Sequence, residues 1–232
     1  MSNSKPPNVE IKISGDGSHT LYNPELDETY HSHHGAITES KHVFIDAGLR
    51  SLISEKKEIR ILEVGFGTGL NALLSLVFAE AHPDIDFHYH TLEPYPLSWD
   101  VAKNLNYVDQ VVLENGSMLF EQMHKVESGK SHTLLPNFTF SKHLMPLNTF
   151  SAEIKFNVVF YDAFAPSKQS EMWEYSQLEH LSEMVANEGV LVTYCSKGQF
   201  KRDLKALNFL VQELPGPPGK REMTRGIFNR ST

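Results

Sequence analysis

Three glycines follow a short apolar stretch at a spacing that would bring a ligand against the backbone. The run Ile59–Val64 is apolar and carries Ile and Val, which predicts a buried strand. Gly65, Gly67 and Gly69 follow at alternate positions, and an apolar run long enough for a helix begins at Leu70. A strand, glycine turn and helix let a nucleotide-type ligand approach the backbone and the free N–H groups of the helix. The alternative is a turn that only connects the two elements.

The spacing of these glycines departs from the dinucleotide-binding fingerprint. That fingerprint needs G-x-G-x-x-G, and Leu70 stands where its third glycine belongs. The pattern E-x-G-x-G-x-G instead resembles the first motif of class I S-adenosylmethionine methyltransferases, which implies S-adenosyl-L-methionine as the cofactor. The residues of this stretch expected to hold it are Glu63, Gly65, Phe66, Gly67, Gly69 and Asn71.

A second carboxylate follows the next predicted strand. Phe87–Leu92 alternates in polarity and ends in Glu93-Pro94, and Glu93 comes 24 residues after Gly69. An acidic side chain at the end of the second strand is placed to accept both ribose hydroxyls of an adenosine. We therefore expect Glu93 and Pro94 to contact the cofactor, with an exposed strand-end carboxylate as the alternative.

A third strand end carries the candidate catalytic group. Phe156–Tyr161 is a strongly apolar strand and ends in the sequence DAFAP, which starts at Asp162. Ligand sites in open α/β sheets gather at the carboxyl ends of strands, so Asp162 is expected to face the same crevice as Glu93. A carboxylate there could accept a hydrogen bond from an amine and aim its lone pair. Phe164 could stack on a base or pack in the core.

The order of predicted elements indicates an α/β protein. Strands alternating with helices predict a doubly wound, mostly parallel, Rossmann-like sheet of seven strands. Residues 58–232 are assigned to this domain and residues 1–57 to a small N-terminal appendage. The other predicted strands are Ile11–Ile13, Thr20–Tyr22, one within Phe138–Leu147, Gly189–Cys195, Phe209–Leu214 and an antiparallel edge strand at Glu222–Asn229. The other predicted helices are Ile37–Ser54 with Thr38 as N-cap, Leu97–Leu105, Val111–Val126, Met172–Asn187 and Gln199–Leu207.

Composition favours an ordinary globular protein. The chain has 232 residues, 40% of them hydrophobic and 22% charged, and no apolar run approaches membrane-spanning length. Together with a polar N-terminus, this predicts a cytoplasmic protein without a membrane partner. Cys195 is the one cysteine and is expected to be a packing residue. His31, His33 and His34 lack a further ligand at informative spacing, so a solvated or substrate-facing loop is favoured over a metal site.

The charge of the chain is unevenly distributed. The net charge is −8, which argues against a nucleic-acid partner. The segment from Lys197 to Arg230 nevertheless holds eight basic and three acidic residues, a net +5. A basic C-terminal segment in an otherwise acidic chain would suit a polyanion that binds to one face of the protein. On charge alone, basic residues that are simply scattered over the solvated surface are an equally good interpretation.

Several stretches together resemble one known family. They are the glycine motif, Glu93-Pro94, the run YDAFAPSK that contains Asp162, and the sequence GKREM that contains Lys220 and Arg221. All resemble the methyltransferase domain of MnmC, also found alone as MnmD, and the likeness runs from near Asp16 to the C-terminus. The resemblance implies N-methylation of the aminomethyl group on the wobble uridine of tRNA, from 5-aminomethyl-2-thiouridine to 5-methylaminomethyl-2-thiouridine.

The resemblance also implies partners and further contacts. The partner would be tRNA, met at its anticodon loop, and no metal is implied. Lys220 and Arg221 would bind tRNA phosphate or the cofactor's carboxylate; otherwise they lie on a solvated strand. The flavin-dependent oxidase domain of the bifunctional members is expected to be absent from a chain of this length, so only methyl transfer is implied.

Two other functions stay open at this point. The same glycine turn and an Asp beside an amine would serve a small-amine methyltransferase or an aminopropyltransferase, and the acidic body favours a polyamine substrate. A non-catalytic adenosine-binding module is the third possibility. The basic C-terminal segment favours RNA over polyamine, and an Asp at a strand end argues against the non-catalytic module.

Overall fold

The computed structural model describes residues 8–54 and 56–230. Its N-terminal part is a three-stranded antiparallel sheet in the order β1-β2-β3, and the strands are β1 (Glu10–Ile13), β2 (His19–Asn23) and β3 (Glu28–Thr29). The strands predicted at Ile11–Ile13 and Thr20–Tyr22 are confirmed within β1 and β2.

A broken helical segment follows this small sheet. It comprises α1 (Ala36–Ser40), a π-helical turn at Lys41–Asp46 and a 3-10 turn at Leu49–Ser51. The continuous helix predicted over Ile37–Ser54 is therefore wrong. The chain passes Phe44 so closely at Gly48 that an added Cβ would lie 2.4 Å from the Phe44 carbonyl oxygen.

The N-terminus of α1 is capped by side chains that lie about twenty residues earlier in the chain. The predicted N-cap Thr38 is wrong, because Gly35 occupies that position. Asp16 Oδ2 accepts the Thr38 N–H at 2.9 Å, and Ser14 Oγ accepts the Ala36 N–H at 3.1 Å. The turn between β1 and β2 thus satisfies the free N–H groups that open every helix.

The main sheet has eight strands in the order β10-β11-β9-β8-β4-β5-β7-β6. The strands are β4 (Glu58–Val64), β5 (Asp86–Leu92), β6 (Ser131–Leu135), β7 (Phe138–His143), β8 (Phe156–Tyr161), β9 (Val185–Thr193), β10 (Phe209–Pro215) and β11 (Glu222–Phe228). The five central strands β7, β5, β4, β8 and β9 are parallel. The α/β, mostly parallel class is confirmed.

Two details of the predicted sheet are wrong. The sheet has eight strands rather than seven, because β6 pairs antiparallel with β7 and extends the edge. The C-terminal strand β11 is antiparallel as predicted, but it lies between β9 and β10 instead of at the edge. Its burial follows from this position, since Met223 and Thr224 are fully buried.

The remaining α-helices of the described residues flank both faces of the sheet. They are α2 (Leu70–Glu80), α3 (Trp99–Ala102), α4 (Gly116–Lys125), α5 (Tyr175–Glu183) and α6 (Gly198–Ala206). The predictions for α3, α4 and α5 were too long. Asn115 adopts φ 55° just before α4, which sets the start of that helix, and α5 ends because β9 begins at Val185.

Alternate side chains of the central strands explain the doubly wound arrangement. In β8, Val158 and Phe160 join one buried cluster with α2, while Val159 and Tyr161 join a second cluster with α5 and α6. Strands buried on both faces read as continuous apolar runs, as β8 does. The N-terminal segment adds Phe44 to the first cluster, and the domain boundary between residues 57 and 58 stays a prediction.

The strand register brings three sequence motifs to one edge of the sheet. Val64 of β4 lies opposite Leu92 of β5 on one side and opposite Tyr161 of β8 on the other. The residues that follow these three positions therefore leave the sheet together at its carboxyl edge.

Candidate active site

Gly65 allows the ends of β4 and β8 to meet closely. Its φ is +95°, and an added Cβ would lie 2.6 Å from the carbonyl oxygen of Asp162. The Gly65 N–H donates to the Leu92 carbonyl at 3.0 Å, and the Asp162 N–H donates to the Val64 carbonyl at 3.0 Å. A larger residue at this position would separate the strand ends that form the site.

Glu93 holds the glycine turn in place. Its Oε2 accepts the Gly67 N–H at 2.8 Å and its Oε1 accepts the Tyr95 N–H at 2.9 Å. Removal from water raises the pKa of the Glu93 carboxyl, and these two backbone donors oppose that rise. Each oxygen keeps a further lone pair for a ligand in the adjoining cavity.

A cavity of about 710 Å³ opens at the carboxyl edge of the sheet. Eight of the predicted site residues line it: Gly65, Phe66, Gly67, Glu93, Pro94, Asp162, Phe164 and Lys220. Four others, Glu63, Gly69, Asn71 and Arg221, are outside its lining. A volume of this size is typical of a site for a small molecule or cofactor.

Glu63 and Asn71 lie beneath the floor of the cavity. Both are buried, and Glu63 has no exposed surface. Glu63 Oε2 accepts the Thr91 hydroxyl at 2.7 Å, while Asn71 Nδ2 donates to Asp162 Oδ2 at 2.7 Å. The amide of Asn71 therefore supports the catalytic candidate from behind.

Burial governs the titration of both carboxyl groups. It raises the pKa of Asp162 to about 7, opposed by the Asn71 hydrogen bond. Burial likewise raises the pKa of Glu63 to about 8. A carboxylate that titrates near neutrality is a far better proton acceptor than one at its ordinary pKa.

Phe164 lies in the cavity wall, outside both core clusters. Its ring meets that of Tyr30 edge to face, with centroids 5.0 Å apart. The Trp173 indole N–H fixes the local backbone by donating to the Phe164 carbonyl at 2.8 Å. The two rings form an aromatic surface at the site.

The adjacent residues Lys220 and Arg221 have different environments in the structure. Lys220 Nζ lies 2.5 Å from Glu39 Oε1 and 3.8 Å from the centroid of the Tyr194 ring. The Arg221 side chain is 93% exposed and is not among the residues that line the cavity, and its Nε lies 3.5 Å from Glu222 Oε1. Lys220 is thus held inside the site, and Arg221 faces solvent.

Several lining residues were missed by sequence reasoning. Tyr30, Glu39 and Tyr194 line the cavity, and Tyr194 donates its hydroxyl to the Ala163 carbonyl at 2.8 Å. Glu39 is 6% exposed. Glu39 lies within the stretch that resembles the known family, and this was the one sequence feature that pointed to it. No local pattern could place it at the site, because helix α1 reaches the cavity only through tertiary packing.

The predicted solvated or substrate-facing histidine loop lines the cavity with His31, His33 and His34, and only the solvated form of the prediction fails, at His31. His31 is buried, and its Nε2 lies 2.7 Å from the hydroxyl of Thr68 in the glycine turn. Burial lowers its pKa to about 4, so the ring is neutral at pH 7. His33 and His34 are exposed at the cavity mouth. Among residues 8–54 and 56–230, no cluster of three His, Cys, Asp or Glu side chains is arranged to hold a metal ion.

Cys195 is buried in the second core cluster, in agreement with the packing role predicted for it. None of the helices in the described residues combines the length and apolar character needed to cross a bilayer.

The cavity fits an adenosine-type cofactor. The turn at Gly67 has φ +49° and bears no side chain, so the cavity comes directly against backbone there. The Glu93 carboxylate follows β5 at the position where acidic residues accept ribose hydroxyls. Fold and site together are those of a doubly wound α/β domain that binds an adenosine compound.

Comparison with known proteins gives the family. Residues 105–229 match the family model described as S-adenosyl-L-methionine-dependent methyltransferase. The chain belongs to this family, and S-adenosyl-L-methionine is its cofactor.

Individual relatives agree with this family. The chain is 28% identical over 220 residues to the tRNA 5-methylaminomethyl-2-thiouridine biosynthesis bifunctional protein MnmC of Marinomonas sp. (strain MWYL1), covering 90% of this chain and 32% of that protein. It is 30% identical over 230 residues to MnmC of Leptospira interrogans, and this alignment covers 91% of this chain and 34% of that protein. The chain therefore spans about a third of the length of these relatives.

A solved structure shares the fold over nearly the whole chain. The crystal structure of MnmC2 from Aquifex aeolicus superposes with a TM-score of 0.77 at 26% identity, covering 99% of this chain and 73% of that one. The resemblance to the methyltransferase domain of MnmC is thus confirmed.

Glu93 provides a direct test of the cofactor site. Glu93→Ala should weaken S-adenosylhomocysteine binding by about 1.5–3 kcal/mol, because a charged acceptor and the anchor of the Gly67 turn are both lost. Isothermal titration calorimetry measures the effect. An unchanged dissociation constant would contradict the ribose contact.

Proposed function

We propose that this protein transfers a methyl group to the aminomethyl group of the wobble uridine of tRNA, forming 5-methylaminomethyl-2-thiouridine. The observation that carries the proposal is the Asp162 carboxylate, which lines the cofactor cavity and is fixed by Asn71 at 2.7 Å. The names of the MnmC relatives, which refer to biosynthesis of this nucleoside, support the choice of substrate.

Asp162 prepares the acceptor amine. The bound cofactor would supply a methyl group on a positively charged sulfur, and S-adenosylhomocysteine would leave as a neutral thioether when an amine lone pair takes that methyl group. A primary alkylamine is mostly ammonium at neutral pH and has no free lone pair. The amine binds in its neutral form, and Asp162 accepts a hydrogen bond from its N–H, orients its lone pair, and takes a proton from the nitrogen after the N–C bond has formed. Its negative charge also stabilises the positive charge that grows on nitrogen.

Orientation contributes more than proton transfer in this proposal. Holding donor and acceptor aligned can contribute roughly 7–11 kcal/mol to lowering the barrier. The proposed cofactor contacts are made by Gly65, Phe66, Gly67, Glu93 and Pro94, which line the cavity. The uracil ring would stack on the aromatic surface of Phe164 and Tyr30, since stacking needs only a π-face.

The two basic residues are given different substrate roles. Arg221 is exposed beside the site, so it is the better candidate for a tRNA phosphate. Lys220 is already paired with Glu39 in the cavity wall, so we assign it to the interior of the substrate site rather than to the phosphate backbone.

The pH dependence of the reaction should report Asp162. Only the anionic carboxylate can accept a proton, and burial raises its pKa to about 7. We therefore expect kcat to fall as pH is lowered through about 7, and to fall less steeply in Asp162→Asn. Initial rates at saturating tRNA and cofactor, measured for both proteins across that range, check this.

The substrate itself is tested by labelled methyl transfer. The protein is incubated with methyl-labelled cofactor and bulk tRNA that lacks the modification, with putrescine as the small-amine control. Label in tRNA, recovered as 5-methylaminomethyl-2-thiouridine after digestion to nucleosides, is the expected result. Label in putrescine alone would support the small-amine alternative, and label in neither would contradict the proposal.

A further inference from the structure

Glu63 is a fully buried carboxyl group, and no cation from residues 8–54 or 56–230 is paired with it. The polar groups that face it are the hydroxyls of Tyr89 and Thr91 from β5 and the side chain of Asn71 from α2. Ser75 of α2 lies next to Tyr89, and Asp162 follows β8. None of these is basic, so an ionised Glu63 would be a buried charge without a partner, which proteins avoid.

Two acceptor atoms in this buried group are unsatisfied. Within the described residues, Glu63 Oε1 and Asn71 Oδ1 have no hydrogen-bond partner, and neither does the neighbouring Tyr89 hydroxyl, which can donate to only one of them. Buried polar atoms are normally paired, so the two vacant acceptors need an explanation. Tyr89 can satisfy at most one of them, and a proton on Glu63 supplies the second donor, because a neutral carboxyl group can donate one hydrogen bond while still accepting that of Thr91.

The orientation of the Asn71 amide links this proton to the site. The nitrogen and oxygen of an amide are distinguished by their hydrogen bonds, so a donor facing Oδ1 fixes Nδ2 on the opposite side. Asn71 Nδ2 is the atom that donates to Asp162 Oδ2 at 2.7 Å. Asn71 also lies within hydrogen-bonding reach of both carboxyl groups.

We propose that Glu63 carries a proton and acts through Asn71 as a positioning residue for Asp162, and that it makes no contact with the cofactor. The inference rests on the proposed function, since it concerns the group that prepares the acceptor amine. It reassigns Glu63 and Asn71, which the sequence motif alone would place among the cofactor contacts.

The electrostatics of the group agree with this assignment. Burial, and then the charge of Asp162, raise the pKa of Glu63 to about 8, so the neutral form prevails at pH 7. Asn71 faces Asp162 from beneath, and Glu39 and Lys220 influence the pKa of Asp162 from the cavity wall. Glu39 raises the pKa of Asp162 and Lys220 lowers it, so the two charges oppose each other. Asn71 is the uncharged donor whose hydrogen bond favours the ionised form of Asp162.

Three variants test the inference through binding and rate. Glu63→Gln keeps an uncharged donor and acceptor, Glu63→Leu removes both, and Glu93→Gln is the control at a cavity-lining carboxylate. We expect Glu63→Gln to bind S-adenosylhomocysteine within about twofold of the wild type, while Glu93→Gln weakens it by about tenfold or more. Glu63→Leu should lower kcat by about tenfold or more at unchanged cofactor affinity, and Glu63→Gln should recover most of that loss.

The results that would overturn the inference are distinct. A loss of S-adenosylhomocysteine affinity in Glu63→Gln as large as that in Glu93→Gln would make Glu63 a charged cofactor contact. Equal kcat values in Glu63→Gln and Glu63→Leu would remove the positioning role.

The stability of Glu63→Gln tests the proton without any acceptor substrate. A folded pKa of about 8 lies above the ordinary value of 4.5, so the wild type loses stability as pH rises from about 4.5 to about 8. Gln cannot ionise, so the Tm of Glu63→Gln relative to the wild type should rise by about 4 °C or more between about pH 5 and pH 8. A constant difference would show that Glu63 is already ionised. Because calorimetry and cofactor binding need no tRNA, this inference and the proposed tRNA reaction fail separately.

Discussion

Asp162→Ala should lower kcat for methyl transfer to tRNA by about 100-fold or more, with cofactor affinity changed by much less. The carboxylate is the cavity-lining acid at the end of β8, and its partner Asn71 holds it from behind. Removing it takes away the proton acceptor, the orientation of the amine and the charge that stabilises the growing cation. Single-turnover rates with saturating cofactor, combined with calorimetric titration of S-adenosylhomocysteine, separate chemistry from binding.

Asp162→Asn is the matched control for that experiment. It keeps the size and polarity of the side chain and removes only its charge and its capacity to take a proton. We expect it to retain part of the orientation effect and to turn over faster than Asp162→Ala but slower than the wild type. Turnover equal to the wild type in either variant would contradict the role assigned to Asp162.

Gly67→Val should abolish cofactor binding at concentrations that saturate the wild type. Gly67 adopts φ +49°, its N–H is held by Glu93, and an added Cβ would lie 3.0 Å from the Tyr30 ring. A branched side chain there strains the backbone and presses on the Tyr30 ring, which also lines the cavity. We expect the dissociation constant for S-adenosylhomocysteine to rise by at least about 100-fold, which corresponds to roughly 3 kcal/mol.

Gly129→Val separates strain from occlusion. Gly129 also has a positive φ, +77°, but an added Cβ there meets no atom within 4 Å and the residue lies far along the chain in the loop before β6. It should lose some stability and keep full cofactor affinity. If both variants bound the cofactor as the wild type does, the glycine turn would not be the cofactor site.

The strands that carry the site were predictable because their signal is local. Ile59–Val64 and Phe156–Tyr161 are apolar runs of strand length, and the structure places strands at Glu58–Val64 and Phe156–Tyr161. Parallel strands end at a common edge, so the meeting of Gly65, Glu93 and Asp162 followed from the order of the elements. The sequence supplied this much without any knowledge of distant contacts.

What sequence reasoning missed depends on contacts between distant segments. The strand Ser131–Leu135 has a weak alternation and forms by pairing with β7. Helix α1 is capped by Asp16, 22 positions before Thr38, which no local capping pattern reveals. Glu39 reaches the cavity only because the N-terminal segment packs beside the C-terminal hairpin, where Lys220 meets it.

The roles within the glycine motif show the same limit. The resemblance of the glycine motif implied cofactor contacts for Glu63 and Asn71, and in the structure neither residue is in the cavity lining. Their side chains turn inward because residues on one strand alternate between faces and Asn71 lies on the buried side of α2. A motif fixes the position of the backbone, and the direction of each side chain depends on the packed structure.

A crystal structure of the protein with S-adenosylhomocysteine tests the central claim most directly. The account predicts the ribose hydroxyls within hydrogen-bond distance of Glu93, backbone contact at Gly65 and Gly67, and the sulfur facing the part of the cavity that Asp162 lines. A ligand bound elsewhere, or an Asp162 carboxylate turned away from the sulfur, would contradict it.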